Sequence, residues 1–387
     1  MSNNTLSRAE LADKGKTKNI HYGDVLVKFG DVIDVDGTSI PFISSEAALK
    51  KNTDYLQTGD VIIADTAEDD TVGKATEILN PDGIPIVSGL HTIPCRPNFS
   101  FIPSYLGYYI NSKSFHFQLY PFMQGIKVTS ISKANISRTL ISYPELDEQS
   151  KISYLLNLIT ERIKKQRRLV ELLKLYKRGA LSKLFPQKGE TVPQYRFARF
   201  TEPWEQHKLG ELGEILTGST PSTSHEEYYS DNGIPWVTPT DISGNIIFDT
   251  PRKLSDQGQK IARIAPKGTI LVTCIASIGK NTILGTTGSF NQQINALIPS
   301  FEKNNPYFLL AESMLWSKKM KQQAASGTMQ IVNKTEFSNL VTMVPNLKEQ
   351  EAIGSYFRNL DNLITLHQSK LNEFETVKAG LLQQLFI

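Results

Sequence analysis

The side chains able to do chemistry here fall into three groups, and the strings that mark most catalysts are missing. Asp65-Thr66-Ala67-Glu68-Asp69-Asp70 is the one carboxylate run. A metal-dependent nuclease needs such groups around Mg²⁺, but like-charge runs are usually surface, which favours a solvated loop. Arg162, Lys164, Lys165, Arg167, Arg168, Lys174, Lys177, Arg178 and Lys183 form a dense basic stretch, suited to phosphates or to solubility. Asn291-Gln292-Gln293 offers amides of the kind that read adenine; lying between apolar strands, it reads better as a buried amide network. The methyltransferase string N-P-P-Y is absent, since Asn305-Pro306-Tyr307-Phe308 lacks the second proline. Gly279-Lys280-Asn281 has no glycine five residues upstream of Gly279, so it is not a phosphate-binding loop. There is no H-E-x-x-H and no Cys/His cluster; Cys95 and Cys274 stand alone, which fits a reducing cytosol and no disulfide framework.

The elements that hold these groups begin with a repeat. Pro144-Glu145-Leu146-Asp147-Glu148-Gln149 is matched by Pro345-Asn346-Leu347-Lys348-Glu349-Gln350, an offset of 201 that runs without a gap to Phe185 and Phe386. About eleven of roughly forty paired positions are identical. In the first copy Ile152, Leu156, Ile159, Ile163, Gln166, Val170, Leu173, Lys177, Ala180 and Leu184 recur at alternating spacings of four and three. The second copy gives Ile353, Phe357, Leu360, Ile364, His367, Leu371, Phe374, Lys378, Leu381 and Leu385. This is a coiled-coil seam of period 3.5, predicting two helices roughly 57 Å long. An apolar stripe of that length needs a partner, and an intramolecular antiparallel pair with pseudo-twofold symmetry is the simplest arrangement. Gln166 and His367 hold equivalent seam positions and are expected to fix register.

Ahead of each helix, residues 1–143 and 187–343 are β-rich by pattern. Val25-Leu26-Val27 and Val61–Ala64 read as strands in the first, Thr269–Thr273 and Ile294–Ile298 in the second. Short helices are expected at Tyr105 to Ser112 and Tyr307 to Gln323. A shared frame links the two regions: Ile40-Pro41-Phe42-Ile43 with Ile234-Pro235-Trp236-Val237, Gly59–Ile63 with Gly268–Val272, and Val72-Gly73-Lys74 with Ile278-Gly279-Lys280. Gly125 and Gly327 precede their helices. Trp204–Leu212 has no counterpart in the first region, which predicts a shortened first domain. Trp204, Trp236 and Trp316 are expected in the core.

The chain of 387 residues is 40% hydrophobic and 21% charged, enough for several real cores and too apolar for disorder. No run approaches membrane-spanning length, and Met1–Glu10 lacks a signal-peptide core. The net charge of +3 divides into −2 for residues 1–143, +5 for 144–186, +1 for 187–343 and −1 for 344–387. The positive excess therefore sits on the first long helix.

Taken together, these residues resemble the specificity subunits of type I restriction-modification systems. The carriers are Trp204 to Glu211, Thr217-Gly218-Ser219-Thr220-Pro221-Ser222, Ile234 to Ile242, Gly268 to Lys280, Phe290 to Leu297 and the P-x-L-x-E-Q opening of both helices. The resemblance covers nearly the whole chain, departing at the N-terminus. It implies an α+β architecture of two β-rich target-recognition domains, 1–143 and 204–343, each followed by a long helix, 144–186 and 344–387, with a linker at 187–203. It further implies a cytoplasmic, non-catalytic subunit that reads a split double-stranded DNA target and docks two methyltransferase subunits. Restriction and translocation subunits complete such an assembly. S-adenosylmethionine, ATP and Mg²⁺ would belong to those partners, with no cofactor or metal bound here.

Base reading needs Arg or Lys for guanine, Asn or Gln for adenine and acids for cytosine. The loops between shared anchors nominate Ser219, Thr220, Ser222, Arg252, Lys253, Lys280 and Asn281 in the second domain, and Arg8, Lys18, Thr71 and Lys74 in the first. Arg162, Lys164, Lys165, Arg167 and Arg168 are the expected phosphate contacts along the spacer. Two other readings stay open: a stand-alone nuclease or methyltransferase, and an assembly subunit whose first domain no longer reads DNA.

Overall fold

The computed structural model describes residues 1–49, 53–81, 83–125, 127–187, 189–324 and 331–386; Gly327 lies outside them. The chain divides into two compact units, Met1–Arg167 with Ser369–Ile387, and Arg168–Gln368. Each long helix gives one part to each unit. The helices run Leu146–Leu184 and Leu347–Leu385, bounds that differ by the repeat offset of 201. Among the described residues no helix is long and apolar enough to cross a membrane.

The second unit contains a five-stranded sheet in the order Gly213–Thr217, Ile294–Pro299, Ile270–Thr273, Asn281–Leu284, Ile246–Ile247. The first unit contains Thr92–Cys95, Val61–Ala64, Ala75–Leu79, Val32–Asp34 in the corresponding order, with four strands. In both, the outermost pair is parallel and the inner pairs are antiparallel. Among the described residues of the first unit, no strand takes the position of Gly213–Thr217. A second sheet in each unit holds a parallel pair, Trp236 opposite Ser289 and Asn19 opposite Val87. Between the two sheets of the second unit lie Val237, Ile242, Leu271, Leu284, Phe290 and Ala296; Ile20, Val25, Ile33, Ile62 and Ile78 do the same in the first.

Two expectations are corrected here. Val25-Leu26-Val27 is helical, in Tyr22–Val27, which His21 caps by accepting from Gly23 N at 3.2 Å. Val25 is fully buried and Val27 is 87% exposed; residues two apart share a face in a strand but not in a helix. The frame also shifts. The strand parallel to Ile86–Ser88 is Lys18–Ile20, so the counterpart of Trp236-Val237 is Asn19-Ile20. Phe42–Ile43 lies antiparallel beside it, as Lys253–Leu254 lies beside Tyr229–Val237. The I-P-F-I and I-P-W-V strings look alike because both suit half-buried strands, not because they share a partner.

The other expected strands and helices stand close to their sequence bounds, at Val61–Ala64, Ile270–Thr273, Ile294–Pro299, Tyr105–Ile110 and Pro306–Ala324. All three tryptophans are buried. The repeated glutamine explains why the helix openings are alike. Gln149 Nε2 donates to Pro144 O at 2.8 Å while its Oε1 accepts from Ile102 N at 3.2 Å. Gln350 does the same with Pro345 O at 2.9 Å and Asn305 N at 2.9 Å. Each ties its long helix to the loop that leads into an earlier helix of its unit, Tyr105–Ile110 or Pro306–Ala324. The repeated phenylalanines close the cores: Phe185 packs against Trp204, Phe308 and Phe357 in the second unit. Phe386 packs against Tyr105 and Tyr109 in the first.

Candidate nucleic-acid interface

In each unit a lysine ties a turn of the central sheet to the backbone of the segment that follows the parallel strand, a loop in the second unit and the helix Tyr22–Val27 in the first. Lys280 Nζ donates to Pro239 O at 3.0 Å, and Lys74 Nζ donates to Leu26 O at 2.5 Å. The glycines before them, Gly279 and Gly73, have φ of +83° and +88°. A Cβ there would meet Ser317 Cβ at 2.7 Å or Leu119 Cδ1 at 2.4 Å, so these turns require glycine. Gly279 N donates to Thr273 O and Gly73 N to Ala64 O, both at 2.9 Å. Lys74 is half-buried, and that burial pulls its pKa down despite the opposing carboxylate of Asp31.

Around this clasp in the second unit several loops meet. Thr220 Oγ1 donates to Gln292 Oε1. Ser219 Oγ accepts from Arg263 N at 2.9 Å, and Ser219 O accepts from Trp236 Nε1 at 3.0 Å. Arg263 Nη1 donates to Thr217 O at 2.7 Å, bracing the same loop from the other side. Asp241 Oδ2 accepts from Thr238 N at 2.8 Å and from Thr238 Oγ1 at 2.6 Å, shaping the turn that presents Thr240. Ser222 Oγ pairs with Ser224 Oγ at 2.8 Å. Thr220, Ser222, Thr240, Gln292 and Lys280 are exposed. A hydrogen-bonding surface of hydroxyls, an amide and one ammonium on braced loops suits base edges better than it suits acid–base catalysis.

The other nominated residues take several places. Arg252 is exposed and its guanidinium lies 4.7 Å from the Tyr229 ring centroid. Lys253 Nζ pairs with Asp249 at 2.9 Å. Asn281 turns to the helix behind it, donating to Ser317 Oγ at 2.8 Å and accepting from it at 3.1 Å, which makes it a support. Arg8 pairs with the buried Asp24 at 2.5 Å. Thr71 Oγ1 donates to Asp69 at 2.5 Å on an exposed loop. Lys18 is a correction: it is 6% exposed, inside the Lys18–Ile20 strand, because that strand is central to its sheet. It is not offered to a groove.

Asn291 is buried and donates to Gln293 Oε1 at 3.1 Å, while Gln292 alone of the three is exposed. The amide network and a surface amide therefore coexist in one tripeptide. The sequence did not single out the exposed Gln292, the brace Arg263 or the turn residue Thr240. The T-x-x-D spacing at Thr238 to Asp241 was the available signal for Thr240; a lone arginine gives none.

On the first helix, Arg162, Lys164, Lys165, Arg167 and Arg168 are all exposed. Arg167 pairs with Glu375 at 2.6 Å, Lys164 with Glu161 at 3.9 Å and Arg168 with Glu171 at 3.7 Å. Gln166 is buried among them and His367 is half-buried. Among the described residues no cluster of three His, Cys, Asp or Glu side chains is placed to hold an ion. Asp65 instead faces His91 at 3.2 Å. Burial pushes the Cys274 thiol up to about 11, which leaves it a packing residue.

Comparison with known proteins converges on one family. A family model described as the type I restriction modification DNA specificity domain matches residues 201–376. The type I restriction enzyme MjaIX specificity subunit of Methanocaldococcus jannaschii is 29% identical over 196 residues, 49% of this chain and 45% of that protein. The chain thus spans under half the length of that relative. The putative MjaX specificity subunit of the same organism is 22% identical over 337 residues, 84% of this chain and 77% of that one. A crystal structure of the type I restriction-modification system S subunit from M. genitalium has a TM-score of 0.61 at 13% identity. It covers 100% of this chain and 93% of that chain, a likeness of fold.

Proposed function

We propose that the chain is a specificity subunit of the type I restriction-modification family, a reading supported by the match of residues 201–376 and by the two M. jannaschii relatives, and that it reads a split DNA target without catalysing a reaction. The observation that carries this reading is the doubled construction. Four strands in the same order and a lysine-to-backbone clasp recur in both units beneath loops of different sequence. Residues 1–143 and 204–343 serve as target-recognition domains, 144–186 and 344–387 as spacer helices and 187–203 as the linker.

Pairing of the helices as an antiparallel coiled coil is supported within each unit. Arg167 meets Glu375 in the first, and Lys174 meets Gln368 and Lys177 meets Asp361 in the second. Partner numbers fall as first-helix numbers rise. Gln166 and His367 are the register positions, each a polar residue in an apolar stripe. Ser219, Thr220, Ser222, Arg252, Thr240, Gln292 and Lys280 form or support the second reading surface. Arg8, Thr71 and Lys74 support the first. The basic face of the first helix contacts spacer phosphates. Two methyltransferase subunits and the restriction subunits bring S-adenosylmethionine, ATP and Mg²⁺, and this chain binds DNA in the cytoplasm.

Selection from random duplex DNA tests this. Two short conserved blocks at a fixed spacing are expected; absence of any enriched sequence contradicts it. A single enriched block favours the reading in which the first unit has lost recognition. On the selected duplex, neutralising Arg167 and Arg168 together flattens the salt slope by roughly one unit per lost phosphate contact. Glu375→Gln is the control for the lost ion pair and leaves the slope unchanged.

A further inference from the structure

The two units share one loop scaffold and fill it differently. Thr92 lies opposite Ala64 as Ile294 lies opposite Thr273. Just beyond these pairs, Asp65 N donates to His91 O at 3.1 Å, and Cys274 N donates to Gln293 O at 2.8 Å. His91 therefore stands where Gln293 stands, and Asp65 where Cys274 stands. In the second unit Cys274 is buried, and the loop carries the exposed Gln292. In the first, an imidazole and a carboxylate face each other, His91 Nδ1 to Asp65 Oδ1 at 3.2 Å.

The ring is held in place by its neighbours. Thr66 Oγ1 donates to Asp65 Oδ1 at 2.8 Å and lies 3.4 Å from His91 Nδ1. Because the hydroxyl proton goes to Asp65, both residues present oxygen lone pairs to Nδ1, and the single proton of the neutral ring sits there. Nε2 is then an acceptor, and among the described residues no hydrogen bond reaches it. Tyr22 meets the imidazole edge-on, 5.4 Å between ring centroids and 80° between planes. Tyr22 N in turn donates to Leu90 O at 3.3 Å.

This placement is costly. His91 has φ of +53°, in the left-handed region that side chains enter at the expense of stability. Its side chain is 46% exposed, so the pair with Asp65 returns little. The pair aims a ring more than it holds the fold. We propose that His91 reads a base for the first unit, with Nε2 accepting from the exocyclic amine of an adenine or cytosine in the major groove, and that Asp65 is its positioning residue. Adenine N6 and cytosine N4 are the amine donors of that groove. The proposal rests on the reading of this chain as a DNA-target selector and names one contact within it.

The test repeats the selection from random duplex DNA with the full chain as wild type, His91→Gly and Asp65→Ala. Glycine takes the positive φ without strain, so His91→Gly keeps the loop's backbone; Asp65→Ala is the second variant. Both should lose about tenfold of preference at one shared position of one block, with the other block and the spacing unchanged. Loss spread evenly over a whole block would mark the pair as structural and overturn the proposal. On the selected duplex, the amino base at that position is then replaced by purine or pyrimidin-2-one, which lack the amine. Wild type should weaken about tenfold and His91→Gly by less than about twofold; equal weakening overturns the proposal. A split motif unchanged in His91→Gly overturns this proposal alone, whereas a wild-type selection with no enriched sequence overturns the underlying reading together with it.

Discussion

At the residue scale, the clasp lysines separate positioning from contact. Lys280 spends its ammonium on Pro239 O, and so positions the Thr238–Asp241 turn. Lys280→Gln should therefore weaken binding to the selected duplex by about tenfold with little change in salt slope; a slope lower by about one would make Lys280 a phosphate contact instead. Glu77 makes a separate prediction. Burial raises its carboxyl to about 7, against the pull of hydrogen bonds from Gly107 N and Ser104 N. A carboxyl raised in the folded state contributes stability that is full below about 4.5 and is lost as pH rises through about 7. The change is on the order of 3 kcal/mol. Urea unfolding between pH 4.5 and 8 should show that decline in the wild type and a flatter profile in Glu77→Gln; equal slopes would contradict it. The sequence nominated Lys280 and Lys74 from their place after a glycine, but not what they hold. A carbonyl acceptor carries no side-chain identity, so Pro239 O and Leu26 O left no mark to read.

At the element scale, the long helices, Leu146–Leu184 and Leu347–Leu385, were legible to within about three residues at each end, because a sustained 3.5 period and a duplicated opening over-determine them. The function of the repeated glutamine was not legible, since one of its two backbone partners lies 47 residues away for Gln149 and 45 for Gln350. Gln149→Ala or Gln350→Ala removes a buried double bridge and should cost about 2 kcal/mol in chemical unfolding. A change under about 0.5 kcal/mol would remove the glutamines from the account. The short helix Tyr22–Val27 was read as a strand, since three apolar residues in a row cannot reveal a period. The frame error at Ile40–Ile43 has the same root: pattern reports burial, and pairing partners decide topology. Lys18 shows the cost, because a charged residue was assigned to a surface loop when its strand lies inside the sheet.

At the scale of the molecule, the net charge of +3 is the sum of unequal parts, and it does not argue against DNA. The +5 of residues 144–186 is carried by one helix, while residues 1–143 and 187–343 sum to −2 and +1. That division matches the chemistry of recognition, in which phosphate contacts position and base contacts specify. It also matches the doubled fold, where scaffold residues repeat and loop residues do not. The central claim is that this chain chooses the DNA sequence on which partner subunits act. Mapping methyladenine across the host genome, with and without the gene for this chain, tests it most directly. A split motif of two short blocks with a fixed spacer should be methylated in the parent and unmethylated in the deletion. A methyladenine map unchanged by the deletion would contradict the account.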